Sequence, residues 1–205
     1  MKCWYNSGGD YLVKIPRTRK DTKSYVVWNG MVRRCHYKNH QAYKYYGGRG
    51  VSVCGEWLDY QNFAKWYCSL GNYGKGYHLD KDLIDFKNTE YTPDFCCLIP
   101  REVNALFTGG CKVLVPYNKI QNKWSVCINI GEKCAKGNRK QTYFGYYSDQ
   151  QEALAVYFKH KIAHVKDVAS RYKNELDERV FANLNNDQWI KDYIYHLSAL
   201  TNKEH

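Results

Sequence analysis

Two aspartates flank a lysine in the run His78-Leu79-Asp80-Lys81-Asp82-Leu83-Ile84, and Asn104 follows downstream. Carboxylate and carboxamide oxygens are the natural ligands of hard divalent cations. Asp80 and Asp82, joined by Asn104, can therefore hold Mg2+ or a similar ion, a set suited to metal-assisted cleavage of a phosphodiester. Read as a strand, residues 78–84 put Asp80 and Asp82 on one face and Lys81 on the other. The same residues also suit a solvated salt-bridge cluster, and spacing alone leaves both readings open. Cysteine supplies a second candidate set: Cys35, Cys54, Cys96 and Cys97 can converge on a structural zinc, although the chain has no C-x-x-C pair to fix the spacing. Burial as apolar thiols is the alternative.

These side chains need a scaffold, and the pattern along the chain is that of an α+β protein. Residues 1–23 are polar and basic, with Pro16 amid Lys14, Arg17, Arg19 and Lys20, and are expected to form a flexible arm lying on DNA. A helix capped by Ser24 follows, with Val27 or Trp28, Met31 or Val32, and Cys35 on one face. Gly47-Gly48-Arg49-Gly50 breaks it and leads into the extended piece Val51 to Cys54. A second helix from Asp59 to Leu70 buries Phe63, Trp66 and Tyr67. Then come a strand over 78–84, a polar loop to Asp94, a strand from Phe95 to Ile99, and a helix opened by Pro100 and running to Phe107.

Thr108-Gly109-Gly110 marks a boundary between a domain over 24–109 and a second over 110–162. In the second, Trp124, Val126, Ile128 and Ile130 alternate with Ser125, Cys127 and Asn129, the signature of a strand with one buried face. Another strand spans Lys140 to Tyr146. Ser148 and Gln151 form a capping box for a helix carrying Ala153, Val156, Tyr157 and Ile162 inward. Residues 163–205 read as a helical tail bearing Tyr172, Phe181, Trp189 and Tyr193, either a brace or a surface for a protein partner or self-association.

Charge narrows the function classes. The 205 residues carry 31 lysines and arginines against 20 acidic residues, a net charge of +11. Residues 110–162 carry nine basic and three acidic side chains, the same excess of +6 as the longer segment 1–109, whereas 163–205 is nearly neutral. A dense cationic segment attracts the phosphate backbone by displacing condensed counterions. No apolar run nears the roughly 18 residues that cross a bilayer, and the first ten residues lack the build of a secretion signal, so no membrane partner is expected. An odd count of nine cysteines agrees with a reducing, cytoplasmic setting.

Between Trp28 and Phe107 an ordered series of motifs runs Trp28-x-x-Met31-x-x-Arg34-Cys35, Gly48-x-Gly50-Val51-x-Val53-Cys54-x-Glu56-Trp57, Leu79-Asp80-Lys81-Asp82-Leu83, Tyr91-x-Pro93-x-x-Cys96 and Pro100-x-x-x-Asn104. This series resembles phage HNH endonucleases. The resemblance implies a ββα-metal fold, with Asp80 at the metal-binding acidic position and Asn104 at the helix ligand position. It departs from the pattern at the general base, where Lys81 replaces the histidine that follows the metal-binding aspartate, and the steadying loop asparagine falls near Phe95. A lysine at that place suits phosphate binding, and His78 is the substitute base.

Lys123-Trp124-Ser125-Val126-x-Ile128, Tyr143-Phe144-Gly145-Tyr146-Tyr147 and Glu152-Ala153 resemble the DNA-binding domain of plant APETALA2/ethylene-response factors. The resemblance, over 113–161, implies a three-stranded antiparallel sheet backed by a helix and laid in the major groove of double-stranded DNA. Its outward set is Tyr117, Lys119, Gln121, Lys123, Ser125, Asn129, Gln141 and Tyr143, beside the basic pair Arg139 and Lys140. Glutamines at these places can pair with adenine edges and lysines with phosphate or guanine. The sequence thus supports two functions, a metal-dependent HNH-like DNA endonuclease of nicking or homing type and a catalytically inactive DNA-binding protein of regulatory or architectural role. An interaction protein acting through the tail is a third.

Overall fold

Helix α1 (Lys23–His36) forms where apolar residues recur every three to four positions, and Trp28, Met31, Val32 and Cys35 are its buried stripe. The computed structural model describes residues 4–107, 114–129 and 141–202. They fall into two units, Met1–Arg101 and Glu102–His205. The class is mixed α and β, with a three-stranded antiparallel sheet in the second unit.

The cap of α1 is Thr22, whose side chain accepts from the Tyr25 amide, and not the expected Ser24. Ser24 is drawn inside, where its hydroxyl meets the Tyr60 phenol at 2.9 Å. Helix α2 (Tyr60–Ser69) is capped by Asp59 and buries Tyr60, Phe63, Ala64 and Tyr67. Trp66 sits at its margin against Trp57, with ring centroids 4.5 Å apart. Between the helices the Gly47–Arg49 turn passes so close to α1 that a Cβ on Gly47 would lie 1.9 Å from the Cys35 carbonyl oxygen. Only glycine fits there.

The arm expected over 1–23 is docked from Trp4 onward. Tyr5 bridges to Asp59, the Gln61 side chain bonds both the amide and the carbonyl of Tyr11, and Trp4, Tyr11 and Val13 pack on the core. Composition suggests an arm, but these apolar residues between the charges tie it down. Its turn carries Arg17 and Arg19 in the left-handed region at φ 68° and 54°.

Strand β1 (Ser52–Val53) runs parallel to β3 (Glu90–Tyr91), and β2 (His78–Asp80) runs antiparallel to β4 (Cys97–Ile99). Helix α3 (Arg101–Asn104) follows, so the β–loop–β–α order is present. The first strand of this hairpin ends at Asp80, four residues short of the expected limit.

The units divide between Arg101 and Glu102, ahead of the glycine break expected near 109, because the residues just after the division pack into the second unit. Glu102 takes an ion pair from Arg171 and a bond from the Tyr172 hydroxyl, Lys161 donates to the Leu106 carbonyl, and Phe107 packs on Trp189 and Tyr193. Strands β5 (Tyr117–Asn118), β6 (Lys123–Ile128) and β7 (Thr142–Tyr147) pair in sequence order as one antiparallel sheet. Val126 and Ile128 are buried beneath α4 (Gln150–Arg171), whose cap is Asp149, one residue beyond the expected Ser148.

α4 runs unbroken through the expected limit at 162. With α5 (Glu178–Leu184) and α6 (Asp187–Asn202) it contributes Val165, Val168, Val180, Leu184 and Ile190 to the core, so residues after 162 brace this unit. No helix among the described residues is long and apolar enough to cross a membrane.

Asp59 supports both the start of α2 and the docked segment, since one oxygen accepts from the amides of Gln61 and Ser7. Asp59→Ala is expected to lower the unfolding free energy by about 1–2 kcal/mol in urea titrations followed by circular dichroism, with an unchanged m-value.

Candidate nucleic-acid interface and the Asp80 turn

Strand β2 stops at Asp80 because that side chain turns back on the chain. Its Oδ1 accepts from the amides of Asp82 at 2.9 Å and Leu83 at 2.7 Å, an Asx-type turn that satisfies two donors strand pairing would otherwise claim. The expected sharing of a strand face by Asp80 and Asp82 is therefore replaced by a turn, and Oδ2 is not used in it. Burial, and then the negative charge of Asp82, push the Asp80 carboxyl up to about 6 against the pull of the two amides and Lys81.

Lys81 points inward and is only 6% exposed. Its Nζ lies 2.5 Å from Asp82 Oδ1 and 3.1 Å from the Asn88 carbonyl oxygen, and stands over the Tyr91 ring at 5.9 Å. Asn88 closes the loop by donating to the Glu90 carbonyl at 2.6 Å. His78 is exposed on β2 opposite Ile99, and is held below the ordinary histidine range by partial burial and by the charges of Lys23 and Arg101. Asn104 ends α3 and belongs to the second unit.

The three-oxygen cation set expected at Asp80, Asp82 and Asn104 fits poorly, because the Lys81 ammonium takes the Asp82 carboxylate. Among the described residues no group of three or more His, Cys, Asp or Glu side chains is arranged to hold a metal. The zinc expectation meets the same difficulty. Cys35 and Cys96 lie in the core of the first unit, where burial pushes the Cys35 thiol up to about 11 and Cys96 higher still, and half-buried Cys54 is also raised by burial. Burial among aromatic and aliphatic side chains suits the alternative reading of these cysteines as apolar core residues.

In the second unit the register sorts the sheet into two faces. Val126 and Ile128 face α4, so Lys123, Ser125 and Cys127 face away from it. Pairing adds Asn118 opposite Lys123, Tyr146 opposite Ser125 and Tyr143 opposite Cys127 to that outward face. Gln141 joins them, its side-chain oxygen accepting from Cys127 Sγ at 3.4 Å, and Asn129 is exposed just beyond the end of β6.

Strict alternation cannot place both Tyr143 and Tyr146 outward, since they are three residues apart. A bulge opposite the Val126–Cys127 step resolves this. Phe144 is the extra residue and stacks on His160 of α4 at 3.9 Å, while Gly145 takes φ 119°, a value open to glycine. Tyr117, expected outward, is paired with Trp124 and shares its face, with ring centroids 5.0 Å apart. Lys119 and Gln121 sit in the exposed turn between β5 and β6. Arg139 and Lys140 lie outside the described residues.

No family model matches the chain, and no curated protein or solved structure matches it.

Sequence reasoning missed Asn88, Asn118 and Tyr146. Asn88 carries no periodic signal, being a loop residue whose importance comes from the buried lysine it helps enclose. Asn118 and Tyr146 are hidden when alternation is counted without the bulge and without the β5–β6 register.

The raised carboxyl of Asp80 means that the native state holds this proton more tightly than the unfolded chain, whose aspartates titrate near about 3.9. The stability it contributes is complete below that value and is lost as pH climbs through about 6. Relative to Asp80→Asn, which keeps an Oδ1 acceptor but sheds the charge, wild type should therefore lose unfolding free energy as pH rises from about 4 to about 6. Asp80→Ala, which removes both turn bonds, should lie about 1–2 kcal/mol below Asp80→Asn at neutral pH. Parallel pH profiles for wild type and Asp80→Asn would count against this account.

Proposed function

We propose that this chain binds double-stranded DNA, with the outward face of β5–β6–β7 laid in the major groove as its APETALA2-like resemblance implies. One observation carries the reading. The sheet turns a polar and aromatic face away from α4, made of Asn118, Lys123, Ser125, Gln141, Tyr143 and Tyr146, within a segment, 110–162, that carries nine basic and three acidic side chains. Carboxamides on such a face can read adenine edges, lysines meet phosphate, and tyrosines pack on sugars and thymine methyls. The exposed turn bearing Arg17, Arg19 and Lys20 adds positive charge to the first unit.

Within this reading the front unit binds rather than cuts. The buried Lys81–Asp82 pair supports this, because an ammonium occupies the carboxylate a divalent ion would need, and Lys81 is turned away from any phosphate. Cleavage at an HNH-like centre is the second reading. It is favoured by the β2–β4 hairpin that runs into α3 and by the Asp80 oxygen left over from the turn.

Fluorescence anisotropy with a labelled duplex tests the binding, and a plasmid-nicking assay tests the chemistry. Wild type should bind with chelator present. Lys119→Ala combined with Lys123→Ala should weaken affinity across sequences and flatten the dependence of log affinity on log salt by about 1 for each lysine that pairs with a phosphate. An unchanged slope would remove the sheet from the interface. Nicking in Mg2+ or Mn2+ that disappears in Asp80→Ala would establish the second reading instead.

A further inference from the structure

The most exposed large apolar side chain among the described residues lies at the tip of the sheet. Ile120 is 92% exposed at the apex of the β5–β6 turn, between Lys119 and Gln121. A β-branched apolar residue is an unusual choice for a turn, where Gly, Asn, Asp, Pro and Ser predominate. The turn around it is built to hold one shape. Asn118 Oδ1 accepts from the amides of both Ile120 at 3.0 Å and Gln121 at 3.1 Å, and the Tyr117 hydroxyl bonds the Asn122 side chain across the loop.

Asn122 supplies the left-handed residue that closes the hairpin, at φ 53°. The other end of the Asn118 carboxamide donates to the Tyr146 hydroxyl at 3.1 Å, which ties the turn to the third strand. One asparagine of β5 thus ties the apex to β7. The result is an apolar tip of fixed position, flanked by a lysine on each strand side, Lys119 and Lys123.

We infer that Ile120 is a wedge that enters between adjacent base pairs of a duplex, unstacking the step and bending and unwinding the DNA around the sheet. Apolar side chains of minor-groove proteins work in this way, the unstacking being offset by the extra surface that the bent duplex can reach, and the same exchange is open to a tip that enters a step from the major-groove side. Lys119 and Lys123 stand where they can grip the phosphates on either side of such a step. Pre-ordering of the turn matters because a floppy tip would lose its remaining freedom on insertion. The inference rests on the reading of the sheet as a duplex-binding surface, and it adds deformation of the DNA to that binding.

Unwinding can be measured without knowing the target sequence. The full chain is bound to closed circular plasmid at a series of occupancies, the plasmid is relaxed with a type I topoisomerase and deproteinised, and the topoisomers are resolved on a gel. Affinity for a linear duplex is measured in parallel. Wild type should leave a linking deficit proportional to the protein bound. Ile120→Ser should reduce the deficit per bound molecule about twofold or more while affinity changes less than about threefold, and Ile120→Met, which keeps an apolar tip, should retain it.

Ile120 is solvent-exposed, so these variants keep the fold. Equal deficits for wild type and Ile120→Ser at matched occupancy would overturn the wedge. Binding of wild type with no deficit would overturn it too and leave the duplex-binding reading standing, whereas absence of any duplex binding would overturn both.

Discussion

Burial of Val126 and Ile128 under α4 is the constraint from which the candidate interface follows. A strand residue has two faces to choose from, and once the apolar pair is committed to the helix, Lys123, Ser125 and Cys127 have only the opposite side. Pairing then carries the choice to the neighbouring strands, because directly opposed residues share a face. A slip of one residue on β6 would bury Lys123, Ser125 and Cys127 and expose the core, a change the apolar pattern does not permit. The bulge at Phe144 and Gly145 is the one departure from this rule, and it brings two tyrosines to the surface while sending a phenylalanine to stack on His160.

The first unit solves a different problem, the placing of polar groups within an aromatic core. Arg34 donates through two nitrogens to the Tyr91 hydroxyl and lies against the Tyr46 and Tyr91 rings, while Lys81 is paired with Asp82 and the Asn88 carbonyl. Each of these two cations is thus met by a hydroxyl, carbonyl, carboxylate or ring face. Tyr91 is common to both, which links the loop after β2 to helix α1. A lysine at the position after Asp80 is consequently part of the packing of that loop, and burial holds the loop to the strand that precedes it.

Asn118 plays the corresponding part in the second unit. Its carboxamide oxygen accepts two turn amides and its nitrogen donates to Tyr146, so the loop apex, β5 and β7 are fixed by one side chain. Local hydrogen bonding of this kind lets a short two-residue strand behave as a firm edge of the sheet. The face and its tip therefore form a single surface in which polar, aromatic and apolar elements keep fixed spacing.

Amino-acid order by itself marked several of the helices and strands: the three- to four-residue recurrence of Trp28, Met31, Val32 and Cys35, the alternation of Trp124, Val126 and Ile128, and the hairpin-then-helix order around Asp80 are legible in it, since each leaves a local pattern. It also singled out Asp80, Lys81 and the cationic sheet segment as candidate sites. Tertiary structure alone decided that the basic arm is docked, that Lys81 turns inward to Asp82, that Tyr117 and Tyr146 exchange the faces alternation gives them, and that Cys35 and Cys96 are core thiols. The reason is physical: these outcomes depend on partners distant in sequence, on strand register and on a one-residue bulge, and burial can reverse the side a residue faces without leaving any trace in the pattern around it.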